Sequence, residues 1–333
     1  MPYGSNVPSS DKLLRTLIYG RPKTRKTTWA CLCAEFGFNV VLLNGEEGGV
    51  VIDSMISEKG RSQILTVDLR MHVAKTVFSP FMAQLLRPGN VFLWDEQEQR
   101  ACLGFPNPEH SYVKFDIGKL TSNDVVIVDG WKALSKSAWF KYAEDNELDL
   151  SDAKKEEWPE YSYCYNFLNW ILARLHALPC HLIVVAHSQT YEVYDRRDKK
   201  NPKLIERRIQ PISSSGRHSQ ELPGEFHDVF FFKRISPMAV TIDTGGDADR
   251  DGGSRLFEPR VYQFDDFLPD QLFNIRGLKS DPTRKCEGAV WYAPGAEVPT
   301  GIVSLSLVAE NKVIEPPPAG SLLARIRGIG GSA

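Results

Sequence analysis

Residues 20–28 read GRPKTRKTT, set between a largely apolar run, Leu13–Tyr19, and a helix-forming stretch, Thr27–Phe36, that Gly37 stops. Gly20, Lys26 and Thr27 match the pattern G-x-x-x-x-G-K-[ST]. In such a loop the backbone N–H groups and the start of the next helix converge on phosphate oxygens. The lysine reaches the outer phosphates and the hydroxyl ligates Mg²⁺. A loop of this kind needs a buried strand behind it and a helix ahead of it, which points to an α/β fold. Gly20, Lys23, Thr24, Arg25, Lys26, Thr27 and Thr28 are the candidate nucleotide-binding residues, with Lys23 a second amine near the phosphates.

Arg25 stands where the pattern has its second glycine. Three readings are open. The plain expectation is a backbone dihedral that does not need glycine. Alternatively the guanidinium adds a phosphate contact, or the substitution marks a loop with weakened or lost hydrolysis.

The remaining chain alternates short apolar runs with helical stretches. Val40–Leu43, Asp124–Val128, His181–Ala186 and Asp228–Phe232 read as strands. Tyr161–Leu178 reads as a long helix, with Phe167, Leu168, Ile171, Leu172 and Leu175 at helical spacing. Continuous apolar strands separated by helices predict a mostly parallel sheet covered on both faces. Thr66–Leu120 does not fit that unit and is expected to be a β-rich insertion, with a hairpin through Val91–Trp94 and Tyr112–Phe115. The expected organisation is an N-terminal arm over 1–12, a core over 13–285, an extension over 286–315 and a flexible Pro/Gly/Ser-rich tail over 316–333. Within the core, 66–120 is the insertion and 190–225 a mobile basic loop.

Composition excludes some classes. The chain has 333 residues, 25% of them charged, with a formal net charge of -2, so any basic surface must be local. Its six cysteines show no metal-like spacing and are expected to be reduced thiols. No apolar run approaches the roughly 20 residues that span a bilayer, so no membrane partner and a cytoplasmic location are expected.

Asp129 follows four apolar residues, as does a carboxylate that holds Mg²⁺ at the end of a strand near a phosphate loop. The residue after it is Gly130, so an acid that activates water must come from elsewhere. Strand two ends in NGEEGG, which sets Glu46 and Glu47 beside the nucleotide, with Glu47 the candidate general base. His187, Ser188 and Gln189 end the fourth strand and are expected to sense the outer phosphate. That expectation assumes that this strand lies between the loop strand and the Asp129 strand.

With these residues in view, the chain resembles the RecA-like ATPases, and within them the short phage-encoded recombination ATPases of the Sak type. GRPKTRKTT is similar to their GxPxTGKTT, and NGEEGG to their acid-then-glycines ending of strand two. DVVIVDG resembles their Walker B strand and LIVVAH their sensor strand. Gln210–Val229 and Asn274–Arg284 are similar to later segments of theirs, so the resemblance spans roughly Leu13–Arg284. It implies a RecA-like P-loop core that binds and hydrolyses ATP with Mg²⁺. It also implies action on single-stranded DNA in recombination, annealing or replication, beside a single-stranded-DNA-binding protein. A homo-oligomeric ring or filament follows from the same likeness.

Local charge supports a nucleic-acid role. Tyr194–Gln220 holds eight Lys/Arg against three acids. Arg196, Arg197, Lys199, Lys200, Lys203, Arg207 and Arg208 are the candidate DNA-binding residues, with Tyr191 and Tyr194 placed to stack on bases. Lys279 and Arg284 are candidate trans-acting fingers on a neighbour's γ-phosphate. Three rivals stay open: another oligomeric motor of helicase or packaging type, a small-molecule kinase with 66–120 as its lid, and a non-hydrolysing nucleotide-binding protein.

Overall fold

A computed structural model describes residues 13–46, 55–68, 82, 86, 92–94, 112–147, 158–195, 203–246, 250, 252–254, 257–292 and 303–304. The main sheet holds β1 (Arg15–Gly20), β2 (Asn39–Asn44), β3 (Ile64–Asp68), β6 (Asp124–Asp129), β7 (His181–Asp195), β8 (Lys203–Pro211), β9 (Asp228–Arg234), β10 (Val240–Asp243), β11 (Gly253–Ser254) and β12 (Val261–Gln263). A second sheet holds β4 (Phe92–Trp94), β5 (Tyr112–Phe115), β13 (Ala289–Tyr292) and β14 (Val303–Ser304). The helices are α1 (Lys26–Cys31), α2 (Glu58–Arg61), α3 (Trp131–Asp145), α4 (Trp158–His176), α5 (Gly216–Glu221) and α6 (Pro269–Ile275).

The main sheet runs β12-β10-β9-β1-β7-β6-β2-β3. From β9 to β3 every neighbour is parallel, and β10 and β12 add antiparallel strands at one edge. The fold is mixed α/β with a mostly parallel sheet. β7 lies between β1 and β6, as expected.

Strand side chains alternate between two cores, as a period of two requires. Leu17, Tyr19, Val41, Leu43, Val126, Val128, Leu182 and Val184 share one core with Leu134 of α3 and with Leu168, Ile171, Leu172 and Leu175 of α4. Ile18, Val40, Leu42, Val125, Ile127, Ile183 and Val185 face the other core, with Trp29 of α1, Phe38, Phe230 and Phe273 of α6. Both faces are covered, which is why these strands read as unbroken apolar runs.

Several expectations need correction. The fourth strand does not end near Ala186: β7 continues to Asp195 and pairs antiparallel with β8. The stretch expected to be a mobile basic loop is therefore a β-hairpin followed by α5, with 196–202 outside the described residues. Cross-strand partners explain this: Glu192 faces Arg207 and Tyr191 faces Arg208, so the charges are interleaved with acids and aromatics that suit a strand. The helix after the loop is α-helical only to Cys31, and Leu32–Phe36 is a 3₁₀ turn ended by Gly37 at φ 84°. α3 was not among the elements read from the sequence.

Thr66–Asp68 belongs to edge strand β3 rather than to the insertion. The expected hairpin forms, with Phe92–Trp94 paired to Val113–Phe115. The 286–315 segment is not a separate extension, because β13 pairs with β5 and β14 with β4. The arm over 1–12 and the tail over 316–333 lie outside the described residues. No helix among the described residues is long and apolar enough to cross a membrane.

Arg15 fixes β1 to its neighbours. It is only 4% exposed, and its guanidinium donates to the carbonyls of Cys180 (2.6 Å), Leu178 (2.6 Å), His176 (2.9 Å) and Leu14 (2.9 Å). The carbonyls of His176, Leu178 and Cys180 end α4 and lead into β7, where a helix leaves acceptors without intrahelical donors. Burial lowers the Arg15 pKa, yet the four acceptors repay desolvation. Arg15→Met keeps the volume and strands the acceptors. It should lower unfolding free energy by about 2–4 kcal/mol in urea titrations.

Candidate functional site

The Gly20–Thr28 loop leaves β1 at the C-terminal end of the sheet. Gly20 needs to be glycine because of crowding: a Cβ there would lie 2.2 Å from the Phe232 carbonyl oxygen of β9. Lys23 and Arg25 sit at φ 62° and 60°, in the left-handed region. Arg25 therefore does not adopt the ordinary dihedral expected of it. It keeps the glycine-like conformation at a cost of about 1–2 kcal/mol, and its guanidinium lies over the Phe264 ring at 5.6 Å. That contact returns about 0.5–1 kcal/mol.

Lys26 is 5% exposed, and its Nζ donates to the carbonyls of Arg21 (2.9 Å) and Gly20 (3.1 Å) and to Thr24 Oγ1 (3.2 Å). Burial lowers its pKa to about 8, partly offset by Asp129 and Glu46. Thr24 and Thr28 are buried in the loop and in the first turn of α1. Helix α1 has no side-chain cap and no acid of its own in its first turn.

The Thr27 hydroxyl donates to Asp129 Oδ2 at 2.6 Å, joining the start of α1 to the end of β6. Asp129 is 3% exposed. Burial pushes its pKa up to about 6, with Glu46 adding to the rise and Thr27, Lys26 and His187 opposing it. A hydroxyl and a carboxylate meeting in a buried corner form an oxygen donor set that suits Mg²⁺, whose charge would relieve the buried anion.

Glu46 follows β2 and reaches the same corner. Gly130, at φ 101°, leaves room for it: a Cβ at residue 130 would lie 2.8 Å from Glu46 Cγ. His187 Nε2–H donates to Glu46 Oε2 at 2.5 Å, while His187 Nδ1 is buried and has no hydrogen-bond partner among the described residues. Lys26, Thr27, Glu46, Asp129 and His187 line one cleft of about 640 Å³ with Arg25 and Arg234.

Other expected residues lie elsewhere. Gln189 donates to Ser219 Oγ (3.3 Å) and lines a neighbouring groove of about 730 Å³, not the cleft. That groove also holds Arg21, Arg207, Lys233, Arg234 and Arg250, with no acid among the described residues of its lining, although Arg250 pairs with Asp243 at 3.0 Å. Lys203 begins β8, Arg207 faces Glu192 at 3.7 Å, and Arg208 pairs with Glu206. Glu47, Arg196, Arg197, Lys199 and Lys200 lie outside the described residues.

Lys279 and Arg284 sit at the far end of the sheet. The Arg284 carbonyl accepts from Asn39 at the start of β2 (3.2 Å), whereas the other end of β2 leads into the cleft. Sequence reasoning ranked Glu46 behind Glu47 and missed Arg234 and Phe264. The glycine after Asp129 was the available signal for Glu46.

Two predictions follow from these geometries. The folded pKa of Asp129 lies above its ordinary 3.8, at about 6. Its contribution to stability is thus complete below the ordinary value and lost as pH rises through 6, by as much as about 3 kcal/mol. Asp129→Asn should be more stable than the parent above pH 6, with the gap closing toward pH 4, in thermal melts without nucleotide. For Arg25, glycine removes both the left-handed cost and the ring contact, so Arg25→Gly should stay within about 0.5 kcal/mol of the parent. Arg25→Ala keeps the cost and loses the ring, and should be about 1 kcal/mol less stable. Neither a protein-family model nor a curated protein matches this chain.

Proposed function

We propose that this protein is a RecA-like P-loop ATPase that acts on single-stranded DNA. The observation that carries the nucleotide part is the 2.6 Å bond between Thr27 and Asp129 beside the buried Lys26 amine. Two elements far apart in sequence deliver a hydroxyl, a carboxylate and an ammonium to one corner, which is what a Mg²⁺-bound triphosphate needs. The strand order supports a RecA-like core, since β7 separates the loop strand from the Asp129 strand and β9 flanks the other side.

In this reading Lys26 exchanges its loop carbonyls for phosphate oxygens. Thr27 and Asp129 hold Mg²⁺, which supplies charge neutralisation to the phosphates when bound. Glu46 takes the general-base role that sequence reasoning gave to Glu47, accepting a proton from the attacking water. His187 orients the Glu46 carboxylate through Nε2–H and ties it to β7.

The DNA part rests on position and charge. β7 runs from His187 straight into the β7–β8 hairpin, where Tyr191 and Tyr194 are each 42% exposed. The acid-free groove at the hairpin's base offers cations to a phosphate backbone.

The decisive experiment measures ADP and ATP binding and phosphate release, with and without an oligothymidylate. Lys26→Ala should lose nucleotide affinity and hydrolysis together. Glu46→Gln should bind as the parent does and turn over at least about 100-fold more slowly. Oligothymidylate should speed the parent. Unchanged turnover in Lys26→Ala would sink the assignment of the loop.

A further inference from the structure

We propose that Arg234 is a cis-acting arginine of the cleft, contacting the outer phosphate as it is transferred, so that hydrolysis needs no cation from a neighbouring chain. The proposal rests on the ATPase reading above and deepens it.

Arg234 ends β9, two residues beyond Phe232, which pairs with Gly20 in the parallel register of β1 and β9. Phe232 packs edge-on against Trp29 of α1, with ring centroids 5.7 Å apart. Side chains two apart on a strand leave the same face. Arg234 therefore projects from the α1 side of the sheet, just past the strand end where the loop turns. It stands between the two hollows, lining the cleft with Lys26, Thr27, Glu46, Asp129 and His187 and also the neighbouring groove.

Its guanidinium is already oriented. Nε donates to the Ser236 carbonyl (3.1 Å) and Nη2 to the Pro237 carbonyl (2.8 Å). Nη1 makes no hydrogen bond among the described residues. A planar cation braced on one edge, with its other edge open, loses little freedom when it meets a phosphoryl oxygen. The other cations near the loop are differently placed. Lys23 and Lys26 belong to the loop itself, and Arg25 lies over Phe264. Lys279 and Arg284, expected to serve a neighbour, stand at the opposite end of the sheet from their own chain's cleft.

The step balances without further reagents. The water oxygen forms a bond to the γ-phosphorus as its proton passes to Glu46. The bond from that phosphorus to the β–γ bridging oxygen breaks, and its electron pair stays on the leaving diphosphate. Negative charge spreads over the transferring oxygens, where the Arg234 guanidinium faces it.

The test compares the parent with Arg234→Ala and Arg234→Lys. Arg234→Ala should bind ADP within about threefold of the parent and melt at a similar temperature. Its turnover should fall by a factor of about 100 or more, and it should fail to retain aluminium fluoride with ADP through gel filtration. Arg234→Lys should recover part of the rate, since it restores charge without the fork. Mixing Arg234→Ala with Lys26→Ala separates cis from trans action, because the second chain keeps Arg234 but lacks a working loop. Parental turnover in Arg234→Ala, equal losses in ADP affinity and rate, or restored turnover in the mixture would each overturn the proposal. A parent that binds no nucleotide overturns the ATPase reading as well, which an effect confined to Arg234 does not.

Discussion

Asp129 is an anion that the fold holds almost out of water, and the elements around it are arranged to make that tolerable. Its carboxylate accepts from Thr27, and it lies within electrostatic reach of Lys26 and His187. Those contacts offset only part of the desolvation, since its pKa stays raised and that of Lys26 stays lowered. Burial thus disfavours the charged state of both groups. A divalent cation and a polyphosphate would favour both charged states at once. A purely structural corner would have been filled by apolar side chains, as the strand interiors one residue earlier are.

The same economy of space explains the glycine after Asp129. A side chain at residue 130 would strike Glu46, so the chain can place a carboxylate from the end of β2 or a side chain on β6, but not both. Glu46 is then fixed by His187, whose strand lies between β1 and β6. The parallel register makes this possible: Gly20 pairs with His187 in β1 and β7, and Asn44 with Asp129 in β2 and β6. Asp129 in turn pairs with Val185, two residues before His187, so β1, β2 and β6 end within two residues of one level, and the residues past them share one cleft with His187 of the longer β7.

How much of this was legible from residues alone depends on the kind of signal. The buried strands, the loop and Asp129 were legible because unbroken apolar runs and a phosphate-loop pattern have few other uses. Parallel order could be inferred, but register could not; register is what sets Asn44 against Asp129 and so brings Glu46 to that corner, while Glu47 lies outside the described residues. The segment over 194–220 was legible only as either a mobile basic loop or a solvated charged hairpin, because eight basic residues suit both. Only the cross-strand pairing shows that Glu192 and Glu206 neutralise part of that charge. Arg25 was misread for a related reason: the need for a left-handed residue is a property of the turn, whereas compensation by Phe264 comes from 239 positions away in the chain.

The base of the hairpin is tied to the cleft by bonds that leave little slack. The Ile212 N–H donates to the His187 carbonyl (2.7 Å), so the return strand of the hairpin grips the residue that holds Glu46. One residue on, Ser213 accepts from Trp131 Nε1 (3.0 Å) and donates to His218 Nδ1 (2.5 Å), whose Nε2–H donates to Asn169 (3.1 Å). Trp131 follows Gly130, so the end of β6 and the end of β8 share one buried polar network. Burial lowers the His218 pKa to about 4, which keeps the ring neutral and its single N–H committed to Asn169. A network satisfied at each of these atoms resists partial rearrangement, because breaking one bond strands a buried partner. The base of the hairpin is thus joined by hydrogen bonds both to His187 and, through Trp131, to the end of the Asp129 strand.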